Sequence, residues 1–339
     1  MSCKLAANFF LLGVSAAFAL ATSLAFTTPA QAQKQITINS FKSSSLWPIW
    51  VAQRQGFLDA QGLATKNVYT ANSVSQMVGL IKGEFEMVST ALDNVIAYDE
   101  GEGSPEAPKS ADLVVVLGGS NGALSLIGRP EIKSIKDLKG PDLAVDAIST
   151  GFAFVLQDIL ARDGLTGGDY KLVAFGNTGA RWQALQKSQA VAGLLTPPIS
   201  QTAMAQGYIK LADAAQVLGG YQGTVMAARR DWAKSNADTV VAFIRGYQQG
   251  LAWLRAPANK AAALAILIAE IPETTPALAE ENYALLVTDP RGLDADGKID
   301  DAGAKRVLEL RRRYGPQGKP AADIDSFVDQ SYFARAAKP

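Results

Sequence analysis

The sequence predicts an α/β fold of two lobes, each a mostly parallel sheet flanked by helices, completed by a helical C-terminal region. Three observations carry this. From residue 33 onward, short β-type runs alternate with helical patterns, as parallel sheets covered on both faces require. The alternation comes in two similar halves, each placing small polar residues between the end of a strand and the start of the next helix. From Asp231 the pattern turns almost wholly helical.

The elements follow in order. Lys4, an uncharged apolar run over residues 6–26 and the small-residue ending "TTPAQA" read as a secretory signal peptide over 1–32, cut between Ala32 and Gln33. Strands are expected at 35–39, 66–70, 85–91, 112–118, 123–128, 142–146, 171–175, 190–196 and 224–228. Runs such as "LVVVL" and "VAGLL" are continuously apolar, as strands covered on both faces are. Helices are expected at 47–61, 73–82, 93–100, 151–162, 178–187 and 198–206. In the C-terminal region, Val240, Phe243, Ile244, Tyr247, Leu251 and Leu254 keep the spacing of one buried helix face. Pro257, Pro272, Pro276 and Pro290 mark helix boundaries there.

Composition removes several function classes. The chain has no histidine, and its one cysteine, Cys3, leaves with the signal peptide. No histidine base, Ser-His-Asp triad, thiol nucleophile or histidine-held metal can be built. Lysine plus arginine and aspartate plus glutamate both number 32, so no basic surplus points to nucleic acid. No catalytic residue, metal ligand or cofactor is assigned.

The polar junctions are the candidate binding elements, because ligands of open α/β sheets bind beyond the carboxyl ends of the strands. "SSSLWP" places Ser44 and Ser45 at a helix start, with Trp47 as a wall of the cleft and Trp50 in the core. Three serines exceed what one helix cap needs. Asn72 follows the second strand; Thr90 lies at the end of the third and Asn94 just beyond it, where Asp93 reads as a helix cap. "ISTGFAF" sets Thr150, Gly151 and Phe152 at a helix start, and the glycine lets a ligand approach the backbone. "FGNTGARW" supplies Asn177 and Arg181. Arg181 lies one turn into its helix, where a cation opposes the helix dipole, so a carboxylate, sulfonate or phosphate ligand would account for it. "GLDADGKIDD" mimics a phosphate loop and a calcium loop. It lacks the Ser/Thr of the first and the terminal acids of the second, and reads as a turn into a helix near Asp300.

Taken together, "LWPIWVAQRQGFLDAQGL", "IKGEFEMVSTALDNVIAY", "SIKDLKGPDLAVDA" and "GARWQALQKSQAVAGLLTPPI" resemble the periplasmic substrate-binding components of bacterial ABC importers. The group resembled serves alkanesulfonates, taurine, nitrate and thiamine-type pyrimidines. The resemblance implies a type II binding-protein fold with lobe one over 33–128, lobe two over 129–220, and lobe-one completion with C-terminal helices over 221–339. It further implies two hinge crossings, the second at Tyr221, which joins the ligand-binding set. A small molecule, a membrane permease and an ATPase are the implied partners of a periplasmic monomer. The same family includes a pyrimidine-synthesising enzyme whose chemistry needs histidine, which this chain lacks. A sensory protein serving a membrane receptor, or an enzyme on the same fold, stays an alternative.

Overall fold

The computed structural model describes residues 32–108, 111–316 and 322–338. The expected signal peptide lies, apart from Ala32, outside the described residues.

The first stretch runs β1 (Lys34–Ser40), α1 (Trp47–Arg54), α2 (Phe57–Ala60), β2 (Leu63–Tyr69), α3 (Ser73–Lys82), β3 (Met87–Ala91), α4 (Leu92–Asp99) and β4 (Leu113–Ser120). The second runs β5 (Ser125–Gly128), β6 (Asp142–Val145), α5 (Gly151–Arg162), β7 (Lys171–Ala174), α6 (Thr178–Gln186), β8 (Ala192–Leu195), α7 (Ile199–Ala205), β9 (Ile209–Asp213) and α8 (Ala214–Leu218). After β10 (Thr224–Arg229) come α9 (Arg230–Ser235), α10 (Ala237–Arg255), α11 (Lys260–Glu270) and α12 (Pro276–Tyr283). The chain ends with α13 (Asp301–Tyr314) and α14 (Ser331–Ala336).

The strands form two five-stranded sheets of the same design, ordered β2-β1-β3-β10-β4 and β7-β6-β8-β5-β9. In the first, β1 runs parallel to β2 and β3, and β10 runs antiparallel to β3 and β4. In the second, β6 runs parallel to β7 and β8, and β5 runs antiparallel to β8 and β9. The odd strand in each sheet is the one that has just arrived from the other: β5 after β4, and β10 after β9 and α8. These two crossings tie the α/β lobes together, and helices flank both sheets.

Three differences from the sequence expectation have physical reasons. The expected strand 123–128 fell within lobe one, yet Ser125–Gly128 pairs only with β8 and β9 of the second sheet. Its apolar pattern signals burial but not which distant strand it meets. β9 and α8 were not expected; "IKLAD" is a half-buried edge strand whose weak alternation carries little signal. The single helix expected over 47–61 is two, because Gly56 takes the left-handed conformation, φ 71°, and stops α1.

One apolar core joins α1, α10 and the face of the first sheet carrying Ile36, Ile38, Val114 and Met226. All six residues of the expected α10 face are buried in it. A second core runs without a break from Val88 and Val115 through Phe154 and Tyr221 to Leu126 and Leu143 of the second sheet. α13 covers that junction, so the rims of the two sheets are held around a common cleft.

Candidate functional site

The strand-to-helix junctions of both sheets converge on one cavity of about 690 Å³. Such a volume suits an organic molecule of moderate size. The two rims touch across it. Ser44 N–H donates to the Pro197 carbonyl at 3.2 Å, and Asn177 N–H donates to that of Ala71 at 3.0 Å. The Ser73 hydroxyl donates to Asp146 Oδ2 at 2.6 Å.

The serine loop divides its tasks. Ser43 and Ser45 line the cavity, with their hydroxyl oxygens 2.7 Å apart. Ser44 turns away and donates to Asn282 Oδ1 at 3.0 Å, fully buried. Trp47, expected as a cleft wall, is instead a core residue. It is 0% exposed, its Nε1–H donates to the Ala263 carbonyl at 3.0 Å, and its ring meets Tyr283 edge-on at 5.9 Å. The side chains that enclose it arrive more than two hundred positions later, so the local sequence did not reveal them. Trp50 is buried as expected.

Asn72 does not reach the cavity wall: its Oδ1 accepts from Ser75 N–H at 2.8 Å and caps α3. Thr90 and Asn94 are on the wall, and Asn94 Nδ2 donates to Thr90 Oγ1 at 3.0 Å. Asp93 beside them lies beneath the wall, fully buried, with Arg311 Nη1 3.4 Å from its Oδ1. Burial pushes its pKa up to about 6 against the opposing pull of Arg311 and the Gly151 N–H.

Thr150, Gly151 and Phe152 line the cavity from the start of α5. Gly151 is required there by close approach. A Cβ at this position would stand 2.5 Å from Asp93 Cβ and 2.8 Å from the Tyr221 hydroxyl oxygen. Tyr221 therefore supports α5 from behind rather than facing a ligand; it is 1% exposed, and burial raises its pKa well above 10.

Asn177 and Arg181 both line the cavity. Asn177 Oδ1 accepts from Ala180 N–H at 3.0 Å, capping α6. Arg181 is 3% exposed. Its Nε–H donates to the Leu194 carbonyl at 2.9 Å, Nη1 to that of Gly176 at 2.6 Å and Nη2 to Thr178 Oγ1 at 3.0 Å. All three acceptors are neutral, and no carboxylate pairs with Arg181 among the described residues. Of the five N–H groups of a guanidinium, two stay unused. Burial lowers its pKa to about 10, opposed by the Asp146 carboxylate, so the group stays cationic at neutral pH. A desolvated, unpaired cation on a cavity wall is costly unless an anion completes it.

Sequence reasoning missed Asp146, which follows β6 and lines the cavity. It read as the last residue of a strand. Also missed were the apolar side chains Trp182, Ile199, Ile271 and Leu286, which share that wall with Phe152. Their patterns signal core helices and loops, and only the fold turns them toward the cleft. Among the described residues no cluster of three or more Asp, Glu, His or Cys side chains is arranged to hold a metal.

The segment 292–301 is the expected turn into a helix: Asp300 caps α13, its Oδ2 accepting from Gly303 N–H at 3.0 Å. It also grips the crossings between the sheets. The buried Gln222 side-chain amide donates to Asp294 Oδ2 at 2.9 Å and to the Thr224 carbonyl at 3.1 Å, and its Oε1 accepts from Asp300 N–H at 2.7 Å. Burial pushes the Asp294 pKa up to about 7, with the Gln222 hydrogen bond opposing.

A family model described as NMT1/THI5 like matches residues 43–261. No curated protein sequence matches the chain. Solved structures do. The ligand-binding component of an ABC-type import system from Staphylococcus aureus, with zinc bound, is 12% identical over 91% of this chain and 100% of its own, TM-score 0.75. The periplasmic nitrate-binding protein NrtA from Synechocystis PCC 6803 is 12% identical over 90% and 88%, TM-score 0.73. The alkanesulfonate-binding protein SsuA from Xanthomonas axonopodis pv. citri, bound to MOPS, is 18% identical over 88% and 99%, TM-score 0.71. At these identities the likeness is one of fold: a periplasmic binding protein fold spanning nearly all of the chain from β1 onward.

Proposed function

This chain belongs to the NMT1/THI5-like family, and from that premise we propose that it is the periplasmic solute-binding component of an ABC importer. In this reading the signal peptide over 1–32 is cleaved, and the exported protein captures a small polar or anionic organic molecule between its lobes. The lobes divide where the chain crosses between sheets, from Ser120 to Ser125 and from Asp213 to Thr224. Ligand docks on one rim, the crossings flex, and the closed form gains contacts that the open form lacks. A permease with its ATPase then accepts the closed form.

The observation that carries this reading is Arg181: buried, held by three neutral acceptors, lining the cavity with two N–H groups unused. The absence of histidine from the whole chain favours capture over turnover. A thermal-shift screen of the purified protein over sulfonates, carboxylates, aromatic acids and pyrimidines tests it. At least one class raises the melting temperature, and mass spectrometry recovers that ligand unchanged. Recovery of a chemically altered ligand would reverse the non-enzymatic reading.

A further inference from the structure

The cavity wall carries a second charge that an importer of simple anions does not need. Asp146 follows the carboxyl end of β6 and lines the same cavity as Arg181. Its Oδ2 accepts from Ser73 across the cleft at 2.6 Å, while its Oδ1 is buried and has no hydrogen-bond partner. A carboxylate offers about four acceptor positions, and a hydroxyl can be satisfied by a neutral acceptor, so the Ser73 bond alone does not call for a charge. Arg181, for its part, gives its three hydrogen bonds to neutral groups and none to Asp146. A buried cation and a half-buried carboxylate thus share one wall without forming an ion pair with each other. Lys42 and Glu273, exposed members of the same lining, also balance in sign. The formal charge of these four groups is zero, which disfavours a ligand that is only an anion. Phe152, Trp182 and Ile199 give the cavity an apolar surface, and about 690 Å³ far exceeds the needs of a four-atom ion.

Building on the proposed capture function, we propose that the site is bipolar: Arg181 takes the acid group of the ligand, and Asp146 takes an ammonium or other N–H donor carried on the same molecule. The preferred ligand is a zwitterionic organic acid with an apolar body, and Asp146 is the residue that selects it over its des-amino counterpart. Charge-assisted hydrogen bonds of this kind are the strong ones, and an acceptor left unpaired on binding is the main source of discrimination.

The test is calorimetric titration of the purified protein with matched pairs: γ-aminobutyrate against butyrate, p-aminomethylbenzoate against p-toluate, and aminopropanesulfonate against propanesulfonate. In at least one pair the amino member binds about tenfold tighter or more. Asp146→Asn, which keeps an acceptor for Ser73, brings that ratio close to one. Ser73→Ala, which removes only the bond across the cleft, weakens both members alike and leaves the ratio standing. If the des-amino members bind as well as the amino ones, or if Asp146→Asn weakens both in parallel, Asp146 is a closure contact and the bipolar assignment falls while the capture reading stands. If no member of any pair binds while another compound of the thermal-shift screen does, the bipolar assignment alone falls; the capture reading falls only if the whole screen is silent.

Discussion

Arg181 shows how a single side chain can be legible in sequence for the right reason. A cation in the first turn of α6 gains nothing from the helix dipole, and the fold turns it to the cavity wall. Replacing it with glutamine should weaken binding of acidic ligands by about tenfold to a hundredfold, read by calorimetry. The same change strands the Leu194 or Gly176 carbonyl and should cost about 1–3 kcal/mol of stability, read by denaturant unfolding. Trp47 shows the opposite case. Its place beside three serines suggested the cleft, but Ala263 and Tyr283 claim it for the core. Asp146 was illegible because the end of a strand looks the same whether its last side chain faces solvent, core or ligand. Asp294 yields a prediction of its own. Its pKa rises from 3.8 to about 7 on folding, so the folded state favours the neutral acid. That contribution is complete below the unfolded value and is lost as pH rises through about 7. Melting temperature should therefore fall as pH rises from about 4 to about 7, and Asp294→Asn should lessen this slope, leaving the part that Asp93 supplies.

At the scale of elements, most junctions lie where hydrophobic periodicity and capping residues set them. α3 and α5 begin and end as the sequence indicates, and α6 starts at Thr178 beneath its Asn177 cap. What periodicity could not supply was partnership. β5 carries an ordinary apolar pattern, and only pairing with β8 and β9 assigns it to the second sheet. The contact between α5 and the first lobe also depends on a residue whose importance lies in what it lacks. A methyl group at Gly151 would collide with Asp93 and Tyr221. Gly151→Ala should therefore push α5 away from its seat at a cost of about 1–3 kcal/mol. It should weaken ligand binding as well, because Thr150 and Phe152 move with the helix. A melt paired with a titration reads both effects, and normal affinity in this variant would show that the rim of α5 is not part of the binding surface.

For the molecule as a whole, two sheets of one design, exchanging their antiparallel strands, place two sets of junctions face to face. The alternation of strands and helices makes this architecture readable in the sequence, whereas the position of the crossings is not. Contacts such as Asn177 to Ala71 and Ser44 to Pro197 belong to rims that have met across the cavity. Lobe opening would break them, so bound ligand should reduce the radius of gyration in solution scattering. The most direct measurement is a titration of the purified protein and its Arg181→Gln variant with the acid that gives the largest thermal shift. Saturable one-to-one binding to the native protein, reduced about tenfold or more in the variant, is the predicted result. Equal affinity for both proteins would contradict the placing of the ligand's acid group at Arg181, and absence of binding across the whole screen, pyrimidines included, would contradict the capture function itself.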